Sequence, residues 1–163
     1  VIKERKRTKM EKIASFTIDH TILQKGMYTS RIDGDCVTYD IRTRRPNIEP
    51  VMENAAIHTL EHLFATYVRN SKFSNSVIYF GPMGCRTGFY FIVRDTVTPA
   101  QAIELTKSAL RFSAEFSGAV PGVSAKECGN WRDHDLEGAK REAAEMLAVL
   151  KDWKEKDLVY PVK

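Results

Sequence analysis

The dipeptide Asp33-Gly34 stands between two segments, Met27–Ile32 and Cys36–Arg42, that read as β-strands. Asp-Gly between such segments is one of the strongest short-range hairpin signals, because glycine accepts the positive φ that a twisted two-strand turn demands. In the second strand Val37, Tyr39 and Ile41 alternate with Thr38, Asp40 and Arg42, which puts Asp40 and Arg42 on the face opposite the apolar trio. Two further β-rich runs, SVIYF and GFYFIVR, flank the turn Gly81-Pro82-Met83-Gly84-Cys85.

Helical spacing follows. Ile57, Leu60, Phe64 and Val68 predict a helix over 54–70. A second helix is expected over 98–117, opened by Thr98-Pro99, with Ile103, Leu110 and Phe116 inward and Gly118 as its stop. A third is expected over 135–154, with Leu136, Ala139, Ala143, Leu147 and Leu150 as its apolar stripe. Strands mostly precede helices, so an α+β fold with an antiparallel sheet packed by helices is expected, rather than a doubly wound parallel sheet.

The 163 residues suit one domain, and no linker or repeat divides them. The expected organisation is a basic tail over 1–12 and one catalytic domain over 13–163. The formal charge of +4 arises in residues 1–9, VIKERKRTK, and the remainder is balanced. The tail reads either as a solvated leader or as a polyanion-binding arm, and Met10 offers an alternative start that would leave residues 1–9 outside the native protein. No apolar run exceeds five residues (Phe89–Val93, Met146–Leu150), which excludes a membrane span or signal core. Neither nucleic acid nor membrane is expected as a partner of the body. Cys36, Cys85 and Cys128 are odd in number and widely spaced, a pattern of reduced thiols in a cytoplasmic protein.

Two of the four histidines fall in His58-Thr59-Leu60-Glu61-His62. On a helix, positions i and i+4 share a face one turn apart, so both imidazoles address one point, with Glu61 beside them. This is the H-x-x-E-H pattern of inverted zincins. The same letters also suit a half-buried helix with two satisfied histidines, but the interposed glutamate favours a metal site. A catalytic metal usually takes three protein ligands. Cys128, His134 and Glu137 are the downstream candidates. Glu137 would make the site that of a metallopeptidase, although a carboxylate in the first turn of a helix is expected anyway. Cys128, in a Gly-flanked loop, is either a ligand or a small buried hydrophobe. Cys85 follows a turn in which Gly84 is expected to take a conformation closed to other residues, presenting a thiol suited to acid–base work.

Six segments in order resemble the S-ribosylhomocysteine lyase family, whose members make the precursor of autoinducer-2. They are Ser15–His20, Asp40–Arg42 with Pro46-Asn47, His58–Leu63, Gly81–Gly88, Glu127–Gly129 and His134–Ala139. The resemblance covers nearly the whole chain from about residue 13. It implies His58, His62 and Cys128 as metal ligands and Glu61 and Cys85 as proton-transfer groups. It further implies that Ser15, His20 and Arg42 line the substrate site. One divalent metal per subunit is implied, Fe(II) with zinc or cobalt able to substitute, in a homodimer whose active sites lie at the subunit interface. The implied reaction moves the ribose carbonyl from C1 to C2 and C3 and then expels homocysteine by β-elimination. A Lewis acid and two acid–base groups serve each step. One departure is Tyr79, where the family commonly has an aspartate six residues before the catalytic cysteine.

Overall fold

The computed structural model describes residues 10–162, so the first nine residues of the basic tail lie outside the description. Four strands, β1 (Gly26–Asp33), β2 (Cys36–Arg42), β3 (Val77–Pro82) and β4 (Gly88–Arg94), form one sheet in the order β1-β2-β4-β3, antiparallel throughout. Three helices, α1 (Asn54–Arg69), α2 (Pro99–Glu115) and α3 (Leu136–Val149), complete the α+β architecture. No described helix is long and apolar enough to cross a membrane.

The hairpin forms one residue later than the dipeptide suggests. Asp33 pairs with Cys36, leaving Gly34 and Asp35 as the loop. Gly34, at φ 60°, fills the first central position, where a type II′ turn requires glycine. The apolar trio Val37, Tyr39 and Ile41 faces the core with Met27, Phe89, Phe91 and Val93. From the helical side Ile57, Leu60, Phe64 and Val68 of α1 enter the same core, and the Phe64 ring stacks on Phe80 at 3.8 Å between centroids.

Helix ends differ from expectation. Thr98 caps α2 and Pro99 opens it, as the sequence implies, and Gln101 completes a capping box, but Phe116 turns extended and ends the helix before Gly118. Helix α3 stops at Val149 instead of running to Lys154. Beyond it the chain is drawn back onto the edge strand: the Trp153 indole N–H donates to the Met27 carbonyl (2.9 Å), and the Thr29 amide donates to the Leu158 carbonyl (2.7 Å). These bonds occupy part of the outward-facing edge of β1 that would otherwise be open.

Helix α3 approaches α1 closely at Gly138. A Cβ there would lie 2.2 Å from Asp135 Oδ2 and 2.9 Å from the Ala56 methyl. Gly138→Ala is therefore expected to destabilise the fold by about 1–3 kcal/mol through overpacking, read as a lowered denaturation midpoint.

Candidate active site

Helix α1 presents His58 and His62 one turn apart, their rings edge to face at 4.7 Å. The segment between α2 and α3 packs across them and fixes both rings. His58 Nδ1 lies 2.8 Å from the Asp133 carbonyl, and His62 Nδ1 lies 2.8 Å from the Pro121 carbonyl. A carbonyl only accepts, so each Nδ1 carries the proton and each Nε2 keeps a bare lone pair, the form a metal binds. Gly122, at φ 75°, keeps this loop close: a Cβ there would stand 3.2 Å from His62 Nδ1.

Cys128 Sγ lies 3.4 Å from His58 Nε2. Metal–ligand bonds of 2.0–2.3 Å place neighbouring ligands of a tetrahedral site about 3.4 Å apart, so this pair already has the spacing of two ligands on one ion. The Asn130 amide donates to the same sulfur (3.4 Å).

His134 joins the group, a position that the sequence reading weighs but does not select. Potential ligand atoms of His58, His62, Cys128 and His134 all lie within 4.8 Å of one another. The Thr59 hydroxyl donates to the Ala55 carbonyl (3.0 Å), so at 3.0 Å from His134 Nδ1 it must accept. His134 Nε2 is then a bare lone pair, buried and without a hydrogen-bond partner among the described residues. Burial first, and then the neighbouring His58 and His62, push His134 below the usual histidine range, which keeps it neutral. A buried orphan nitrogen beside two others and a thiol is a donor set suited to a borderline-soft divalent cation. Sequence spacing hides this residue, because the bonds from Thr59 to His134 and Asp135 that seat it join positions 75 and 76 apart.

Glu61 is half-buried on α1 and makes no hydrogen bond or ion pair with a described residue. Glu137 is exposed, ion-paired with Lys140 at 3.8 Å, and outside the ligand group, so the metallopeptidase reading has no support.

A second cluster gathers on the other face of the sheet. Asp40 and Arg42 share that face as expected, but they are 0% and 2% exposed. Arg42 donates to both Asp40 oxygens (3.1 and 2.6 Å) and to the Thr87 hydroxyl (2.7 Å), and Tyr160 donates to Asp40 (2.8 Å). Arg42 is thus braced beneath the C-terminal segment rather than extended into solvent.

Cys85 is exposed and stands 3.1 Å from the Thr87 hydroxyl. Its turn differs from expectation in one respect: the left-handed residue is Arg86 (φ 59°), not Gly84. The Met52 amide donates to the Arg86 carbonyl (3.0 Å), which ties this turn to the segment leading into α1. Ser15 lines a small cavity of about 190 Å³ with Ser30, Thr38 and Tyr90. His20 bonds through Nδ1 to the Ile18 carbonyl (2.9 Å). Tyr79 lies over Gly81 and is 49% exposed. Among the described residues no hydrogen bond or ion pair joins Ser15, His20 or Arg42 to the histidine–cysteine group.

Comparison with known proteins decides what this arrangement belongs to. The model of the S-ribosylhomocysteinase (LuxS) family matches residues 13–157. The chain belongs to that family. It is 48% identical to the S-ribosylhomocysteine lyase of Borrelia garinii subsp. bavariensis, over 93% of this chain and 100% of the relative. It is 50% identical to the lyase of that name from Clostridium beijerinckii, over 93% and 99% of the two chains. With the lyase of Phocaeicola vulgatus it shares 46% identity over 94% and 99%. Membership in the LuxS family bears out the resemblance drawn from six short segments, and those relatives are lyases, not peptidases.

Proposed function

We propose that the protein cleaves S-ribosylhomocysteine to homocysteine and 4,5-dihydroxy-2,3-pentanedione, the autoinducer-2 precursor. The observation that carries this reading is the convergence of two oriented Nε2 lone pairs and a thiol beside Glu61, which no described residue bonds. His58, His62 and Cys128 would hold one divalent metal per subunit, with the lone pair of His134 in the same group. Bound there, such an ion, Fe(II) with zinc or cobalt able to replace it, would supply Lewis-acid stabilisation of negative charge on substrate oxygen.

The chain's own groups move the protons. Carbonyl migration takes a proton from a carbon beside a carbonyl and returns one to its neighbour, so two acid–base groups must face the sugar. Glu61 serves as one of them, since no described residue competes for its carboxylate. Cys85 serves as the other. Burial opposes its thiolate, but the Thr87 hydroxyl, the Thr87 amide and the Arg42 charge together hold the thiol below the usual cysteine range. Elimination then releases homocysteine as C3 carries the carbonyl. Ser15 and His20 contact the substrate's polar groups, and Arg42 contributes its charge from the buried pair with Asp40.

A homodimer would account for Ser15 and His20 having no bond to the metal-ligand group among the described residues of one chain. Ile13, Phe16 and Tyr79 are exposed apolar surface that a second copy would cover, bringing its own residues to each site. The protein is proposed to work in the cytoplasm, where its thiols stay reduced. Anaerobically prepared, metal-replete protein should release a free thiol from S-ribosylhomocysteine, detected with a thiol reagent. No release from protein carrying a full equivalent of metal would overturn the assignment.

A further inference from the structure

Thr87 stands between Arg42 and Cys85 with a hydroxyl whose polarity is fixed by its neighbours. The residue is 5% exposed at the entrance to β4. Its carbonyl accepts the Thr43 amide (3.0 Å), the Arg44 amide (3.1 Å) and the Thr43 hydroxyl (3.1 Å), so its backbone is locked to the end of β2. Its Oγ1 lies 2.7 Å from Arg42 Nη1 and 3.1 Å from Cys85 Sγ. A guanidinium only donates, so Oγ1 accepts from Arg42. The hydroxyl has one proton, and the Cys85 sulfur is its one bonded partner besides Arg42 among the described residues. A thiolate only accepts, so once Cys85 is ionised that proton points at sulfur.

We infer that Thr87 is a positioning residue for Cys85: its hydroxyl, polarised by Arg42, holds the sulfur in place and stabilises its anionic form. Arg42 then reaches Cys85 through an intermediary rather than by direct contact, and the buried Asp40 keeps the guanidinium oriented for this task. A hydrogen bond donated to an anion is stronger than one between neutral groups, and charge on the donor's own partner strengthens it further. The charged and titratable groups around the cluster are Arg42 and Asp40 on β2, Tyr28 on β1, Tyr90 on β4 and Tyr160 in the C-terminal segment. Burial, followed by the charge of Asp40, pushes all three phenols up, and Arg42 is held above its ordinary value by Asp40 despite burial. None of these phenols ionises where a lowered thiol does.

The inference rests on Cys85 as a proton-transfer group, and its test separates the two ideas. Iodoacetamide alkylation of Cys85 is followed against pH in the metal-loaded protein, with Cys85 resolved from Cys36 and Cys128 by peptide mass spectrometry, alongside thiol release. Thr87→Val keeps shape and loses the hydroxyl. It should move the alkylation profile up by about one pH unit or more, roughly tenfold slower alkylation at a fixed pH below the midpoint. Thiol release should fall with it, and Thr87→Ser should restore both. If Thr87→Val does not fold, Thr87→Ala, which leaves room for water beside Arg42, is measured in the same way. An unmoved profile in the folded variant, or no rescue by serine, overturns the inference even if thermal stability drops. A moved profile with unchanged thiol release leaves Thr87 in its role and removes Cys85 from proton transfer.

Discussion

Glu61→Ala is expected to lower homocysteine release by about 10²–10⁴-fold, the usual contribution of a general acid or base, with metal content unchanged. Glu61 sits on the helix that carries both imidazoles, half-buried and bound to no described side chain or backbone group. Its removal therefore breaks no hydrogen bond or ion pair to a described side chain. Glu61→Gln preserves volume and removes only the ionisable group, so the same loss is expected there. Thiol release and metal content measured on one preparation give the answer. Parallel loss of metal and activity would move Glu61 out of proton transfer and into the ligand sphere.

Cys128→Ala is expected to lose bound metal and activity together, while Glu137→Ala keeps both. The Cys128 sulfur already stands at ligand spacing from His58 Nε2, whereas Glu137 points into solvent beside Lys140. The ion would join α1 to the irregular segment that follows α2, so it should also add stability by mass action. Metal at a hundredfold excess over its dissociation constant contributes about 2.7 kcal/mol. Melting with and without a chelator should show that gap in the natural protein, and Cys128→Ala should melt like the chelated form. Retention of a full equivalent of metal by Cys128→Ala would make His134 the working third ligand.

Periodic features were legible in the sequence, and so was the H-x-x-E-H helix, because each is a local spacing rule that backbone geometry enforces. The face shared by Asp40 and Arg42 followed from the two-residue repeat of β2. Their burial did not, since it depends on Tyr160 returning from 120 positions away. His134 illustrates the same limit. Its place is set by one hydroxyl on α1 whose own proton is committed to Ala55, a relation with no period and no motif. The turn at Cys85 was visible from its glycines and proline, but the left-handed residue proved to be Arg86, in a turn closed by a bond from the Arg86 amide to the Met83 carbonyl (2.9 Å). Family resemblance supplied what local rules lacked, the pairing of Cys128 with the two histidines.

The return of the C-terminal segment to β1 also sets an order of assembly. The edge of strand β1 is closed by Trp153 and Leu158, and Trp153 follows Met27 by 126 positions. Until those residues emerge, a growing chain carries an open strand edge and a Tyr28 ring without the Tyr160 ring that later stacks on it at 5.0 Å. Contacts between such distant positions form late, because loop closure must precede them. Trp153, Leu158 and Tyr160 therefore act as a latch: a chain cut short of Trp153 would leave the sheet with its first strand free to pair with another chain.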